Sequence, residues 1–162
     1  MKIVVYEHTS GGGYSDQLIS NNVLAEGFGM LRTVTSNFKK AGHKITVLLD
    51  NRLSKLDPPI NADFTELIFK PQEVQNNLSN VAKINDAILI IAPETGKTLQ
   101  SLIELVEKTG KISINCKSQA ISKVANKAIL YQILKKNQIP IPKTLVLNCK
   151  YKVSKIKLTM LF

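Results

Sequence analysis

Asp86–Ala92, with the sequence DAILIIA, is the most apolar run in the chain and decides its fold class. A continuous apolar run without polar alternation is typical of a strand that is buried on both faces of a parallel sheet. Lys2–Tyr6 (KIVVY) and Ile45–Leu49 (ITVLL) have the same character. We therefore predict a parallel sheet in which DAILIIA is a central strand.

Amphipathic helices are predicted between these strands. Val23–Ala41 carries apolar residues at helical spacing and ends at Gly42, and Glu94–Lys108 repeats this pattern up to Gly110. Phe64–Phe69 supplies a shorter strand. Alternating strands and helices without an internal repeat predict an α/β fold, an open and mainly parallel Rossmann-like sheet of four or five strands.

The formal charge of +10, from 22 Lys and Arg against 12 Asp and Glu, raises the question of nucleic-acid binding. The lysines are spread over several predicted helices and the tail, and no Trp or interleaved aromatic platform accompanies them. This distribution favours a solvated basic surface over a nucleic-acid site.

The length of 162 residues allows one core together with a small part of a second domain. No apolar run approaches the length that spans a bilayer, and Met1-Lys2 leads directly into a predicted strand and not into a signal peptide. Cys116 and Cys149 follow no metal-binding spacing. We therefore expect a cytoplasmic protein without a membrane segment.

The loop after the first strand is the first candidate ligand site, since ligands of such sheets bind beyond the carboxyl ends of the strands. Its three glycines would let backbone N–H groups approach an anion or a carboxylate, although a loop selected only for turn geometry fits equally well. His8 by itself is better interpreted as a packed or solvated imidazole than as a catalytic base. The candidate substrate-binding residues of this loop are Glu7, His8, Ser10, Gly11, Gly12 and Gly13.

A dinucleotide fingerprint is disfavoured here. Gly11 and Gly13 follow a strand, and Asp50 ends the next strand, where a ribose-binding acid would lie. However, Asp16 occupies the position of the third glycine, and the helix is predicted to begin too late to meet a pyrophosphate.

The loop after DAILIIA is the other candidate. Gly96-Lys97-Thr98 resembles the end of a phosphate loop, but Ile91 stands where such a loop needs its first glycine. Pro93 and Glu94 more simply begin a helix, which places the Glu94 carboxylate near a favourable dipole. Glu94 could also face the cleft, and we include it among the candidate substrate-binding residues.

Asn126–Thr144, NKAILYQILKKNQIPIPKT, combines a lysine, a short amphipathic helix and a Pro-marked turn, and Thr144–Leu147 then predicts a strand. This order resembles the opening of an ATP-grasp domain. Asn126 stands where that pattern often has Asp, and Gln138 where it often has Gly. The resemblance implies that Lys127 contacts ATP phosphates; the alternative is a solvated lysine.

Taken with residues 1–14 (MKIVVYEHTSGGGY) and 92–99 (APETGKTL), this motif resembles the N-terminal half of archaeal-type ATP-grasp carboxylate-amine ligases. The resemblance implies a pre-ATP-grasp α/β domain over residues 1–118, followed by the truncated start of an ATP-grasp domain over residues 119–162. It covers nearly the whole chain to about Asn148.

Such ligases phosphorylate a carboxylate with ATP and Mg²⁺, and an amine then attacks the acyl phosphate to give an amide. The resemblance places the second ATP-binding lysine, the glycine-rich loop and the metal ligands beyond Phe162, so we assign no catalytic or metal-binding residue here. We expect the chain alone to be inactive, with small carboxylate and amine substrates and a separate C-terminal half as partners. The alternative is a non-catalytic Rossmann-like module that binds a nucleotide or anion, or another protein.

Overall fold

Five parallel strands form one sheet with the order β3-β2-β1-β4-β5, as the apolar runs predict. The computed structural model describes residues 1–145, and its first compact unit is Met1–Ala125. DAILIIA supplies the interior strand β4, next to the middle strand β1. The strands are β1 (Lys2–Glu7), β2 (Lys44–Asp50), β3 (Phe64–Ile68), β4 (Ala87–Ile91) and β5 (Ile112–Ser113).

Helices cover both faces of the sheet. One helix packs on the first face, and three helices lie on the second. This two-sided cover explains why the strands read as continuous apolar runs without polar alternation. The helices of this unit are α1 (Asn21–Lys40), α2 (Val74–Ile84), α3 (Thr98–Lys108) and α4 (Ser118–Ala125).

Strand β1 directs alternate side chains to the two faces. Ile3 and Val5 belong to the core under α1, whereas Val4 and Tyr6 belong to the core under α2 and α3. All four are at most 2% exposed. The same alternation carries the next residue, Glu7, to the α1 face, and this placement decides the surroundings of its carboxylate.

The start of helix α3 differs from the prediction that Pro93 and Glu94 begin it. A short 3-10 segment covers Thr95–Lys97, and both Gly96 and Lys97 have φ of 62°, in the left-handed region that interrupts an α-helix. The α-helix therefore begins at Thr98, one turn later than predicted.

A side-chain amide extends the pairing of β4 beyond the end of the short strand β5. The Asn115 Oδ1 accepts a hydrogen bond from the Ile90 N–H at 2.8 Å, and the Asn115 Nδ2 donates to the Ile90 carbonyl at 2.8 Å. Both backbone groups of Ile90 are thereby satisfied on this side.

The second compact unit contains helix α5, Lys127–Lys136. The Asn126 side chain caps it by accepting hydrogen bonds from the backbone N–H groups of Ala128 and Ile129. Gln138 follows with φ of 57°, a conformation that favours glycine. The predicted strand Thr144–Leu147 extends past the described residues, and the basic tail after it lies outside them.

The first compact unit ends at Ala125 and the second begins at Asn126, while the domain boundary after residue 118 stays a prediction from the resemblance. Among the helices of residues 1–145, none is long and apolar enough to cross a bilayer.

Asn115→Ala should lower the free energy of unfolding by about 1–3 kcal/mol, because it leaves a buried backbone pair without partners. Urea denaturation followed by circular dichroism measures this change. Asn37→Ala, at an exposed position of α1, is the matched control and should change stability by less than about 0.5 kcal/mol. Equal effects of the two substitutions would contradict the role of Asn115.

Candidate ligand site at the carboxyl edge of the sheet

The candidate site lies where the chain connections diverge on either side of β1. From β1 the chain passes to β2 on one side, and later returns to β4 on the other. Glu7 ends β1 and is in register with Ile91 at the end of β4. In open α/β sheets this position forms the crevice in which ligands bind.

Glu7 is a buried carboxylate that organises the loop after β1. It is 3% exposed, and its Oε1 accepts a hydrogen bond from the Thr9 N–H at 3.0 Å. Its Oε2 accepts from both the N–H and the hydroxyl of Ser10, each at 2.7 Å. Both donors of Ser10 are therefore used by the Glu7 carboxylate, and its Oε1 can accept one more hydrogen bond.

Helix α1 approaches this carboxylate through a glycine. A Cβ atom on Gly27 would lie 2.5 Å from the Glu7 Oε2 and 3.0 Å from the Thr9 Cβ. Beside this contact is an open cavity of about 260 Å³ whose ionisable lining groups are two carboxylates. The lining residues are Glu7, Thr9, Val23, Glu26, Gly27, Met30, Ile91, Ala92 and Pro93.

The glycine-rich loop packs tightly onto the sheet edge. The N–H of Gly11 donates to the Glu7 carbonyl at 2.7 Å, and the N–H of Gly13 donates to the His8 carbonyl at 2.9 Å. Gly12 has φ of 90°, and a Cβ atom there would overlap the Ile68 side chain. Two of the three N–H groups considered for anion binding are thus used within the loop, and the glycines meet a packing requirement.

The loop is also joined to both neighbouring strands. The His8 N–H donates to the Ile91 carbonyl at 2.8 Å, and the Asp50 N–H donates to the Ser10 carbonyl at 2.7 Å. These bonds continue the sheet pairing past the end of β1 and fix the loop on two sides.

The His8 imidazole lies between two tyrosines. Its Nδ1 is 3.0 Å from the Tyr6 hydroxyl, and its ring meets Tyr14 edge-on with centroids 4.8 Å apart. Burial lowers the pKa of His8, opposed by the nearby Glu7, and burial raises the pKa of Tyr6. A neutral imidazole that accepts from the Tyr6 phenol satisfies both groups.

Arg52 fastens the far end of the loop. Its guanidinium pairs with the Asp50 carboxylate at 2.7 Å and donates to the carbonyls of Tyr14 and Gln17 at 2.9 and 2.8 Å. The hydrogen bonds that Arg52 donates to the Asp50 carboxylate raise the pKa of Arg52 above its ordinary value. Asp50 lies at the position where a dinucleotide-binding fold would bind ribose, and here its carboxylate is paired with Arg52.

The remaining predicted residues lie elsewhere. Glu94 is exposed and lines a separate cavity with Leu99, Asn115 and Ile121. Lys127 occupies the first turn of α5 in the second unit. The structure therefore brings Glu7, His8, Ser10 and the three glycines together, and it assigns Glu94 to another cavity.

A magnesium site does not fit the described part of the chain. Within residues 1–145, no three His, Cys, Asp or Glu side chains converge to hold a metal ion. One lysine on the first turn of α5 is likewise too little to form an ATP site by itself. Residues 1–145 thus form a complete site for neither Mg²⁺ nor ATP.

Sequence reasoning missed Glu26, Gly27 and Arg52 in this region. Gly27 and Gly29 are both glycines inside a helical pattern, so the sequence does not indicate which of them permits a close contact. Nothing in the local sequence indicates that Arg52 reaches back to Tyr14 and Gln17.

Gly27→Ala and Gly29→Ala should have opposite effects on stability. Alanine at 27 would collide with a carboxylate that three hydrogen bonds hold in place, which should cost about 1–3 kcal/mol. At Gly29 nothing lies within 4 Å, so alanine should stabilise the helix by about 0.5–1 kcal/mol. Urea unfolding of both variants measures the difference; the same sign for both would contradict the close approach of α1 to Glu7.

The lowered pKa of His8 predicts a dependence of stability on pH. Between the ordinary value of 6.5 and the lower folded value, the unfolded chain binds more protons than the folded one. The free energy of unfolding should therefore be fully retained above pH 6.5 and should fall as the pH falls through this window. Urea unfolding at several pH values should show a shallower dependence in His8→Gln, and an unchanged dependence would exclude His8 as the source.

Comparison with known proteins shows which families this chain is similar to. Residues 43–121 match the family described as pre ATP-grasp 3 domain. The tyramine–L-glutamate ligase of Methanocaldococcus jannaschii is 28% identical over 156 residues, covering 95% of this chain and 48% of the relative. The ligase of the same name from Methanocaldococcus fervens is 26% identical and is covered to 51%. The chain thus spans about half the length of the curated relatives it matches.

Solved structures give the same fold. A protein from Archaeoglobus fulgidus assigned to the ATP-grasp superfamily matches with a TM-score of 0.65 and 25% identity, over 84% of this chain and 40% of that chain. The biotin carboxylase domain of a thermophilic 2-oxoglutarate carboxylase matches in fold, with a TM-score of 0.59 and 16% identity, over 86% of this chain and 28% of its own length. The chain is therefore similar to proteins of the ATP-grasp superfamily, among them tyramine–L-glutamate ligase, and its parallel sheet has the fold of a pre-ATP-grasp domain.

Proposed function

We propose that the chain is the N-terminal, substrate-binding part of an ATP-dependent carboxylate-amine ligase similar to tyramine–L-glutamate ligase. The observation that carries this proposal is the acid-lined cavity at the carboxyl edge of β1 and β4. Its position is the one at which open α/β sheets bind ligands.

The cavity suits the amine substrate. Glu7 and Glu26 are its ionisable lining groups, and the Glu7 Oε1 accepts a hydrogen bond from the Thr9 N–H and has capacity for one more donor. A protonated amine supplies both the positive charge and the donors. Val23, Met30 and Pro93 provide apolar contacts for an aliphatic or aromatic amine.

The reaction would join this amine to a carboxylic acid. The carboxylate attacks the terminal phosphorus of ATP, which gives an acyl phosphate and ADP. The amine nitrogen, after loss of its proton, attacks the acyl carbon, and the C–O bond to phosphate breaks to leave the amide. Mg²⁺, when bound, would offset the charge on the transferring phosphoryl group.

The described residues of this chain would act by binding and orientation. The hydrogen bonds of Glu7 hold the loop before substrate arrives, so little ordering is required on binding. Lys127 is proposed to contact ATP phosphates, as the resemblance implies. The metal ligands and the remaining nucleotide contacts would come from a C-terminal half like that of the relatives, of whose length this chain covers about half.

Reconstitution tests this function. The chain is mixed with a polypeptide that corresponds to the rest of the Methanocaldococcus jannaschii relative, together with ATP, Mg²⁺, L-glutamate and tyramine. We expect release of ADP and formation of the amide, detected by mass spectrometry, only when both polypeptides and both substrates are present. ATP binding by this chain alone, without turnover in the mixture, would favour the non-catalytic module instead.

Two pairs of variants assign the sites within the active mixture. Glu26→Gln should raise the KM for the amine about tenfold and leave the KM for glutamate unchanged. Glu104→Gln on helix α3 is its matched control.

Lys127→Ala should raise the KM for ATP about tenfold, with Lys136→Ala at the other end of α5 as control. Equal effects within either pair would contradict that assignment.

A further inference from the structure

A second cavity, of about 420 Å³, lies at the opposite, amino-terminal edge of the sheet and shares no residue with the Glu7 site. Its volume is within the range of pockets that hold small organic ligands. The cavity lies beside the end of helix α2. The lining residues are Lys2, Lys44, Thr46, Phe64, Thr65, Glu66, Val81, Ile84 and Asn85.

One part of the lining is apolar and open to solvent. Phe64 on the edge strand β3 is 67% exposed, and Ile84 at the end of α2 is 71% exposed. Val81, at 8% exposure, closes the wall between them and the core. Large apolar side chains around a concave surface are typical of a ligand or docking site.

The other part of the lining is basic. Lys2 and Lys44 are register partners on neighbouring strands, so their side chains emerge on the same face. Like charges placed side by side in this way are unfavourable without an anion. Within residues 1–145, neither ammonium group has a carboxylate within 4.0 Å.

The nearby acids do not cancel this charge. Glu66 lines the cavity and leaves one excess positive charge on its walls. Asp63, which Lys44 influences at longer range, is paired with Lys39 at 2.7 Å. Asp86 accepts a hydrogen bond from the backbone N–H of Lys2 at 2.8 Å and does not line the cavity.

Buried polar groups form part of the same wall. Thr46 and Asn85 are 7% and 4% exposed. The Asn85 Nδ2 donates one hydrogen bond to the Val81 carbonyl at 2.7 Å, and its Oδ1 is 3.4 Å from the Thr46 hydroxyl. The second N–H of the Asn85 amide is available to a ligand oxygen.

We propose that this cavity binds a small apolar carboxylic acid, a site separate from the proposed ligase chemistry. The carboxylate would lie between Lys2 and Lys44, with the Asn85 amide as a neutral donor. The hydrocarbon part would cover Phe64, Val81 and Ile84. This arrangement satisfies the paired lysines and removes exposed apolar surface from water.

Titration of the full chain with octanoate, followed by calorimetry and by chemical shifts of Phe64 and Asn85, tests the proposal. We expect saturable binding, at least about tenfold tighter than that of the neutral octanol, and no binding of octylammonium. The double variant Lys2→Met, Lys44→Met should weaken octanoate binding about tenfold. Lys40→Met, Arg32→Met, at exposed positions on helix α1, is the matched control and should leave binding unchanged.

Circular dichroism and thermal melting establish that each variant is folded. Phe64→Ser, at an exposed position of the edge strand, provides a second test, because it removes apolar contact and retains both lysines. It should weaken octanoate binding. Equal binding of octanoate and octanol, equal losses in the two double variants, or no saturable binding below about 10 mM would each overturn the proposal. Because no ATP or C-terminal half is used, failure here leaves the proposed ligase function untouched.

Discussion

The buried carboxylate of Glu7 is the constraint on which the candidate site depends. A carboxylate at 3% exposure is costly unless donors surround it, and Thr9 and Ser10 of the same loop supply them. Burial of Glu7 therefore requires the loop to turn back over the end of β1. This loop conformation requires glycines, because side chains there would overlap Tyr6, His8 and Ile68.

The same constraint extends to helix α1. The alternation of β1 directs Glu7 towards α1, and Gly27 allows the helix to approach it. Arg52 closes the arrangement from the other side by holding the carbonyls of Tyr14 and Gln17. Hydrogen bonds thus couple the loop to the end of β2, and helix α1 packs against Glu7 through Gly27, while the two apolar cores fix the remainder.

The fold was largely predictable because it is encoded locally, and the site was less so. The continuous apolar runs KIVVY and DAILIIA indicate strands that are buried on both faces. The spacing of apolar residues in α1 indicates which side of the helix faces the core. The sequence did not predict the late start of α3, because Lys97 adopts a left-handed conformation that a lysine rarely takes. The contacts of Arg52 and Asn115 join residues distant in sequence, and no local pattern specifies such pairs.

The distribution of charge shows why net charge is a poor guide to the ligand of this chain. The formal charge is +10, yet within residues 1–145 the cavity at the carboxyl edge of β1 and β4 is lined by two carboxylates and no basic residue. Exposed lysines act on their surroundings through water and are screened over roughly 10 Å at ordinary salt concentrations. A cavity wall acts at contact distance, where desolvation strengthens each interaction. The lining of each cavity therefore determines the charge of the ligand it can accept, and the basic surface elsewhere affects mainly the rate of encounter.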